Sequence, residues 1–264
     1  MRRLMRLVSG VLSLAVLVLL LAACGGGSSG SSSGEASKPA REIVSDMAKA
    51  LQGVRSYHVA GTGVDKDGTT RLAGDVTASG SVRFTMAIGA KRAQIIVAGS
   101  QTFVKADREF WLAQGGPDRD TVAKLLADRW AKVPESAATG VKASLDPLLP
   151  KTLAYCATHA AGTVTKKGTR QFAGQRVIVL ADRGDLPGDS PSDLYVAASG
   201  PTLPVRVVQT GPQTPGRPDP RCGDEDSTTT RSEARLSAFN EPVHIAPPPN
   251  ALDVGKLSGG SGAA

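Results

Sequence analysis

Apolar side chains recur at every third or fourth position between Ser37 and Gln52, which is the spacing of one face of an α-helix. Ile43, Met47 and Leu51 belong to this stripe, and Gly53 follows as a helix stop. The pattern predicts a helix over residues 37–52 whose apolar stripe packs into a core. A face that binds a partner is the alternative for the same stripe.

Beyond this helix the period changes to two, which is the spacing of a β-strand with one buried face. Val82, Phe84, Met86 and Ile88 alternate with more polar neighbours, and Asp67-Gly68 is a typical hairpin turn. The pattern predicts strands at residues 56–61, 71–78, 81–88, 93–98, 101–106 and 109–113. The short turns between them indicate an antiparallel meander.

Helical spacing returns at residues 120–130 and again, interrupted by two prolines, at residues 144–155. Further strands are predicted at residues 162–164, 169–173, 175–181, 193–198, 203–209 and 227–239. Residues 211–222 are rich in proline and glycine and are predicted to form a long loop. The β–α–β alternation of a parallel sheet is absent. We therefore expect one α+β domain in which a single large, curved antiparallel β-sheet packs its concave face against the helices.

The N-terminus has the layout of a secretory signal peptide. Arg2, Arg3 and Arg6 precede an apolar run from Leu7 to Ala23. This run is short for a membrane-spanning helix, which needs about 20 apolar residues. We expect residues 1–23 to be removed, and an uncleaved membrane anchor is the alternative.

The end of this run, Leu21-Ala22-Ala23-Cys24, resembles the lipobox of bacterial lipoproteins. In those proteins the signal peptide is cut just before the cysteine, whose thiol receives a diacylglyceryl group. The resemblance implies lipidation of Cys24 and anchoring at the extracytoplasmic face of the cell membrane, where two acyl chains give stable attachment. Residues 24–38 are then a Gly/Ser-rich tether, residues 39–250 the folded domain, and residues 251–264 a flexible tail.

Composition and charge narrow the classes of partner. The chain has 264 residues, of which 41% are apolar, so wholesale disorder is excluded. Aromatic residues make up only 4%, which leaves few surfaces for stacking nucleic-acid bases. The net charge of +7 falls to about +4 once the three arginines before Cys24 are removed. We expect no nucleic-acid partner. A positive net charge this small either attracts anionic headgroups or only keeps the protein soluble.

Two cysteines remain after Cys24, namely Cys156 and Cys222. Cysteine pairs in exported proteins usually form disulfides, and this pair would close a loop of 66 positions. Such a cross-link stabilises a fold by about 4 kcal/mol in the chain-entropy model. The alternative is a metal site or a reactive thiol pair, for which His159 is the nearest candidate ligand.

The sequence contains no local motif for catalysis or for metal binding. His58, His159 and His244 are too far apart in sequence to form a zinc motif. Asp65-Lys66-Asp67-Gly68 resembles the start of a calcium loop, but Val76 stands where the loop needs a glutamate. Nucleophile elbows and phosphate-binding loops are also missing. We predict a protein that is not an enzyme and needs no metal or cofactor.

Paired carboxylates are the open alternative, because any two acids of the chain can meet in space. Gly184-Asp185 and the acids between Asp189 and Asp193 lie among prolines and glycines. That composition is typical of solvated turns. No particular pair is favoured by the pattern.

Several strand and turn motifs resemble the LppX/LprG-type lipoproteins of actinobacteria. They are Val54-Arg55-Ser56-Tyr57-His58-Val59, Gly174-Gln175-Arg176-Val177, Leu194-Tyr195-Val196-Ala197, Pro201-Thr202-Leu203-Pro204-Val205-Arg206 and Phe239-Asn240-Glu241-Pro242-Val243-His244-Ile245. The resemblance covers about residues 40–250. It implies an unclosed, LolA-like β-barrel with helices plugging the open side. The internal cysteine pair and the long loop at residues 211–220 depart from the family pattern.

The resemblance also implies a carrier or receptor that binds a lipid, a lipoglycan or another amphiphile between sheet and helices. The residues predicted to line this cavity are Ile43, Met47, Leu51, Phe84, Met86 and Ile88. If the two layers close, the same residues form a filled core. The chain is then a tethered structural or protein-interaction module with no lipid ligand, and the sequence names no protein partner.

Overall fold

The structure, a computed structural model, describes residues 34–66, 68–115, 118–222 and 229–258. The predicted signal peptide, Cys24 and the last six residues of the predicted tail lie outside the described residues. No helix in the described ranges is both long enough and apolar enough to cross a bilayer.

The described residues form helices and strands in the order that the two periodicities predict, with a few exceptions. The α-helices are α1 (Ala40–Gln52), α2 (Arg108–Ala113), α3 (Arg119–Leu126), α4 (Glu135–Leu145), α5 (Pro150–His159) and α6 (Val254–Ser258). The strands of the first half are β1 (Ser56–Asp65), β2 (Gly68–Thr77), β3 (Val82–Ile88), β4 (Lys91–Ala98), β5 (Gln101–Ala106) and β6 (Ala131–Lys132). Those of the second half are β7 (Val164–Phe172), β8 (Gln175–Asp182), β9 (Ser192–Ala197), β10 (Pro204–Gln209), β11 (Arg231–Ser237) and β12 (Leu252–Asp253).

All these strands belong to one sheet with the order β12-β6-β5-β4-β3-β2-β1-β11-β10-β9-β8-β7. Two antiparallel meanders meet where β1 pairs with β11, and only the β12–β6 pair is parallel. The end strands β12 and β7 lie at opposite edges, so the sheet does not close into a barrel. The predicted α+β class with one large open antiparallel sheet is confirmed.

The helices cover one face of this sheet. Phe84 and Met86 of β3 are at most 3% exposed and belong to the same apolar cluster as Ile43 of α1 and Leu153 of α5. The neighbours Arg83 and Thr85 are exposed, because side chains alternate between the two faces of a strand. The sheet therefore has an inner face toward the helices and an outer face toward solvent.

The strand predicted at residues 109–113 is wrong, since these residues lie in α2. The Asp107 carboxylate accepts a hydrogen bond from the Phe110 N–H at 2.8 Å and caps this helix. Such a cap satisfies a backbone donor that would otherwise be unpaired. The cap outweighs the strand-like alternation of Phe110 and Leu112.

Helix α4 is also absent from the sequence prediction. Its buried side chains are Ala138, Val141 and Leu145. Two of these three are small or β-branched, so the apolar stripe is weak and the period was not visible. The helix starts directly after Pro134, whose dihedral angles are extended.

Residues 238–251 form a segment that we call the C-terminal strap. It connects β11, in the middle of the sheet, to β12 at the far edge beyond β6. Glu241 to His244 lie beside His58, Asp75 and Arg83, so the strap starts across the outer face. At its end the Leu252 N–H donates to the Trp130 carbonyl at 2.8 Å. Residues 252–258, within the predicted tail, form β12 and α6.

Candidate functional site

The six residues predicted to line a cavity meet in one apolar layer between α1 and the sheet. Each is at most 3% exposed, and all belong to a single cluster of contacting side chains. The set consists of Ile43, Met47, Leu51, Phe84, Met86 and Ile88. The positions predicted from two separate periodicities are therefore brought together, and in this structure the layer is closed around them.

The layer extends well beyond these six residues. Helix α5 packs on α1 and adds Leu153 and Ala154, while the second meander adds Ile178 and Leu180 from β8. Sequence reasoning missed the β8 residues because Val177 to Leu180 is a continuous apolar run. Such a run does not indicate which side chains face the helices.

Tyr57 brings a polar atom into the middle of the layer. Its hydroxyl donates a hydrogen bond to the Leu148 carbonyl just before α5, and its ring stacks on Phe239 of the strap at 5.9 Å. Complete burial raises the Tyr57 pKa well above its usual range. The neutral phenol thus joins β1, the start of α5 and the strap at one point.

Three buried polar atoms of β5 and the α2 segment have no hydrogen-bond partner among the described residues. They are Thr102 Oγ1, Trp111 Nε1 and Gln114 Oε1. Thr102 is 1% exposed and faces inward, because it pairs across the ladder with the core residue Val97. A buried polar atom without a partner costs about 1–3 kcal/mol. The inward hydroxyl of Thr102 is therefore suited to a polar group of a ligand rather than to a hydrocarbon chain.

Helix α5 is fastened to the proline-rich loop at its C-terminal end. Cys156 and Cys222 form a disulfide with their Cα atoms 5.5 Å apart. The Tyr155 hydroxyl donates to the Asp219 carboxylate at 2.8 Å, and the Arg221 guanidinium lies 3.6 Å from the centre of the Tyr155 ring. Hydrogen bonds from Arg221 lower the Asp219 pKa to about 2. The thiols that a metal site would need are bonded to each other.

Two buried carboxyl groups lie beside this loop. Asp189 is fully buried and Asp182 is 9% exposed, so the interpretation of Asp189 as part of a solvated turn is wrong. The Asp189 carboxylate accepts hydrogen bonds from the Gly162 N–H at 3.0 Å and the Ser190 N–H at 2.7 Å. Burial raises both pKa values, and the negative charge of Asp189 raises that of Asp182 further.

Asp189 connects the elements around α5 through both its side chain and its backbone. Gly162 follows α5 in the chain, and the Asp189 carbonyl accepts from the Thr214 N–H of the proline-rich loop at 2.6 Å. The sequence missed this pair because the two acids are seven positions apart, with turn-forming residues between them. Their meeting depends on the β8–β9 connection folding back on itself.

The histidines have separate structural contacts. His58 bonds to Asp75 at 2.8 Å, His159 stacks on Tyr155 at 4.1 Å, and His244 lies in the strap. Within residues 34–258, apart from the undescribed gaps, no group of three or more His, Cys, Asp or Glu side chains could hold a metal ion.

No protein-family model matches the sequence, and a comparison with curated proteins finds no match. Among solved structures, the chain is similar to the lipoprotein LppX of Mycobacterium tuberculosis, with 15% identity over 78% of this chain and 97% of that chain and a TM-score of 0.47. LprF of Mycobacterium bovis shares 17% identity over 80% and 98%, with a TM-score of 0.49. A LolA-superfamily protein of Nitrosomonas europaea shares 10% identity over 80% and 96%, with a TM-score of 0.25.

The strand order and the position of the helices define the fold independently of these neighbours. One open antiparallel sheet carries a layer of helices against its inner face. This architecture agrees with the unclosed sheet and covering helices that the sequence motifs implied.

Proposed function

We propose that this chain is a lipoprotein that is anchored through Cys24 at the extracytoplasmic face of the cell membrane and binds an amphiphile between its sheet and its helices. The observation that carries the proposal is the continuous apolar layer, together with the unpartnered hydroxyl of Thr102 that faces into it. An acyl chain gains about 0.8 kcal/mol for each methylene that it buries. A hydrogen-bonding group of the ligand would pair with the Thr102 hydroxyl.

Entry of such a ligand requires the helices to separate from the sheet. Met47 of α1 and Met86 of β3 both belong to the layer as flexible, unbranched side chains, and methionine adapts readily to a new neighbour. Helix α1 follows directly after the predicted tether, and α5 packs on α1. These two helices are the part of the fold that we expect to move.

The closed layer also supports the second candidate, a tethered structural or protein-interaction module. All six predicted lining residues are at most 3% exposed, which is the burial of an ordinary filled core. This candidate predicts that the protein carries no lipid and that its function lies on its surface.

The lipid anchor is tested by the variant Cys24→Ala, made behind a signal peptide that is cleaved without a lipobox. We expect this variant to move from the membrane fraction to the soluble extracytoplasmic fraction, because it lacks the two acyl chains that hold the protein at the bilayer. The measurement is cell fractionation together with the intact mass of the purified protein. The control is Cys156→Ala/Cys222→Ala, which keeps Cys24 and should stay with the membrane. A wild-type chain whose intact mass includes residues 1–23 and no diacylglyceryl group would establish the uncleaved anchor instead.

Ligand binding is tested by native mass spectrometry of residues 24–264 with Cys24→Ala, secreted from a bacterial host behind a signal peptide that is cleaved without a lipobox. We expect a discrete lipid adduct that organic extraction removes. In the variant Thr102→Val we expect less adduct, together with a gain of about 1 kcal/mol in the free energy of unfolding of the lipid-free protein, because an unpaired buried hydroxyl is replaced by a methyl group.

The matched control for Thr102→Val is Thr85→Val, which makes the same change on the exposed side of β3 and should alter neither quantity. A bare polypeptide mass, with no uptake of added lipids, would favour the interaction module. An adduct that Thr102→Val leaves unchanged would exclude Thr102 from the polar subsite.

A further inference from the structure

The outer face of the sheet concentrates the positive charge of the chain. We call the outward-facing charged side chains of β1–β5, β10 and β11 the basic face. It consists of Arg71, Arg83, Arg92, Lys105, Arg206, Arg231 and Arg235, together with Asp75 and Glu233. Seven basic groups and two acids give a balance of +5, which Glu241 of the strap, beside Asp75 and Arg83 on the same face, lowers to +4; the whole chain from Cys24 onward carries about +4. The rest of the molecule is therefore close to neutral.

Near β10 and β11 the arginines are only partly neutralised. Arg206 and Arg235 are direct cross-strand partners, and both bond to the single carboxylate of Glu233, at 2.9 and 2.8 Å. One carboxylate between two guanidinium groups leaves one positive charge. The Arg235 side chain is 63% exposed, so this charge is accessible to a partner.

Aromatic rings lie beside these arginines. The Arg206 guanidinium is 4.9 Å from the centre of the Tyr195 ring and 5.3 Å from that of Phe172. Both rings are half-buried and pack on a small apolar cluster that is separate from the main core. Aromatic rings next to cationic side chains are typical of the headgroup level of a membrane.

Between the arginines the outer face has a shallow apolar depression. Its floor is made of the small side chains of Ala60, Ala73 and Ala87, and Arg71 and Arg235 stand at its rim. The depression has a volume of about 530 Å³. Arg71 of β2 and Arg92 of β4 lie in one cross-strand row, on either side of Ala87 of β3. Neither arginine forms an ion pair with an acid of the described residues.

We propose that the basic face docks on the anionic headgroups of the membrane to which the chain is tethered. The charge is complementary to such a surface. Between its cationic rims, the depression offers space for the apolar atoms that adjoin a lipid headgroup. The inference depends on the proposed lipid anchor only because the anchor places the protein at the membrane surface.

The length of the tether is compatible with this orientation. Lys166 of β7 donates to the carbonyls of Ala36 and Lys38, at 2.8 Å each, so the chain enters the fold next to this edge strand. Cys24 and Gly34 are ten positions apart, a reach of at most about 33–36 Å. Strand β11 is four strands from β7, or about 19 Å at the usual spacing. The basic face is thus within reach of a bilayer that holds Cys24.

The test uses residues 24–264 with Cys24→Ala, made without the signal peptide so that neither acyl chains nor the apolar run of residues 7–23 contributes, and vesicles of phosphatidylglycerol mixed with phosphatidylcholine. We expect co-sedimentation with these vesicles, none with pure phosphatidylcholine, and loss of binding at high salt. Adding Arg71→Glu and Arg92→Glu should weaken the binding by about tenfold or more, because the net charge at the contact changes by four units.

The matched control adds Arg41→Glu and Lys151→Glu, which make the same change in net charge at exposed positions of α1 and α5. We expect it to weaken binding by less than about threefold, and circular dichroism should show all variants folded. Equal weakening by both pairs, or equal binding to neutral vesicles, would overturn the proposal. Because the assay needs no lipidated cysteine, its failure is distinguishable from failure of the anchor.

Discussion

Replacing Cys156 and Cys222 together with alanine is expected to lower the free energy of unfolding by about 4 kcal/mol. The disulfide closes a loop of 66 positions, and its loss gives the unfolded chain the conformational freedom that the cross-link removes. Both sulfur atoms are buried, so the change also removes packed atoms. For a domain of this size we expect the melting temperature to fall by about 10 °C, as measured by circular dichroism.

Two comparisons make this test specific. Wild-type protein with its disulfide reduced should melt close to the double variant, whereas Lys151→Ala on the exposed side of α5 should melt like the oxidised wild type. Thiol labelling of the unfolded, unreduced Cys24→Ala chain should find no free thiol. Two labelled thiols, or a double variant as stable as the wild type, would contradict the assignment.

The second large effect is a loss of stability as the pH rises. Burial is the main cause that raises the pKa of Asp182 to about 8 and that of Asp189 to about 6. In the unfolded chain an aspartate loses its proton near pH 4. The folded state therefore retains protons that the unfolded state has already lost, so the free energy of unfolding falls with rising pH.

Between pH 6 and pH 8 we expect a decrease of about 2 kcal/mol in the free energy of unfolding, since each retained proton contributes at most about 1.4 kcal/mol per pH unit. Urea unfolding at a series of pH values measures this slope. The effect should be complete above the folded-state pKa of Asp182, where both carboxyl groups are ionised in both states.

Asp182→Asn isolates the pair from other titrating groups. The amide keeps the size of the side chain and retains a donor toward Asp189, so the variant should be more stable than the wild type at pH 8 and show a smaller slope. Asp185→Asn is the matched control in the same connection: its carboxylate accepts from Thr163 and has a lowered pKa. The same slope in wild type and Asp182→Asn would disprove the raised pKa of Asp182.

Local periodicity was sufficient for the elements that have one strongly apolar face. The stripe of α1 and the alternation of β3 were both predicted, and the structure buries both sets of side chains. It was insufficient where a short polar contact decides the backbone, as at Asp107 before α2. It also failed where the buried stripe consists of small side chains, as in α4.

The candidate site divides in the same way. The hydrophobic periodicity of the sequence predicts the six lining residues. It does not predict the contribution of Tyr57, Thr102 and the inward residues of β8. Tyr57 reaches its partner Leu148 across 91 positions, and no local pattern encodes a contact of that separation. The Thr102 hydroxyl is singled out because it is buried without a hydrogen-bond partner among the described residues. That is a property of the packed chain and not of the sequence pattern.

By itself, the sequence determined the α+β class and the apolar stripes, and it predicted a lipobox-like motif ending in Cys24 and a disulfide between the last two cysteines. These features depend on residue type and on spacing along the chain, which the sequence contains directly. The tertiary structure alone decided that the strap returns across the sheet, that Asp189 is fully buried, and that the excess positive charge lies on the outer face. Each depends on which strands become neighbours, and that choice is made by contacts between residues far apart in the chain.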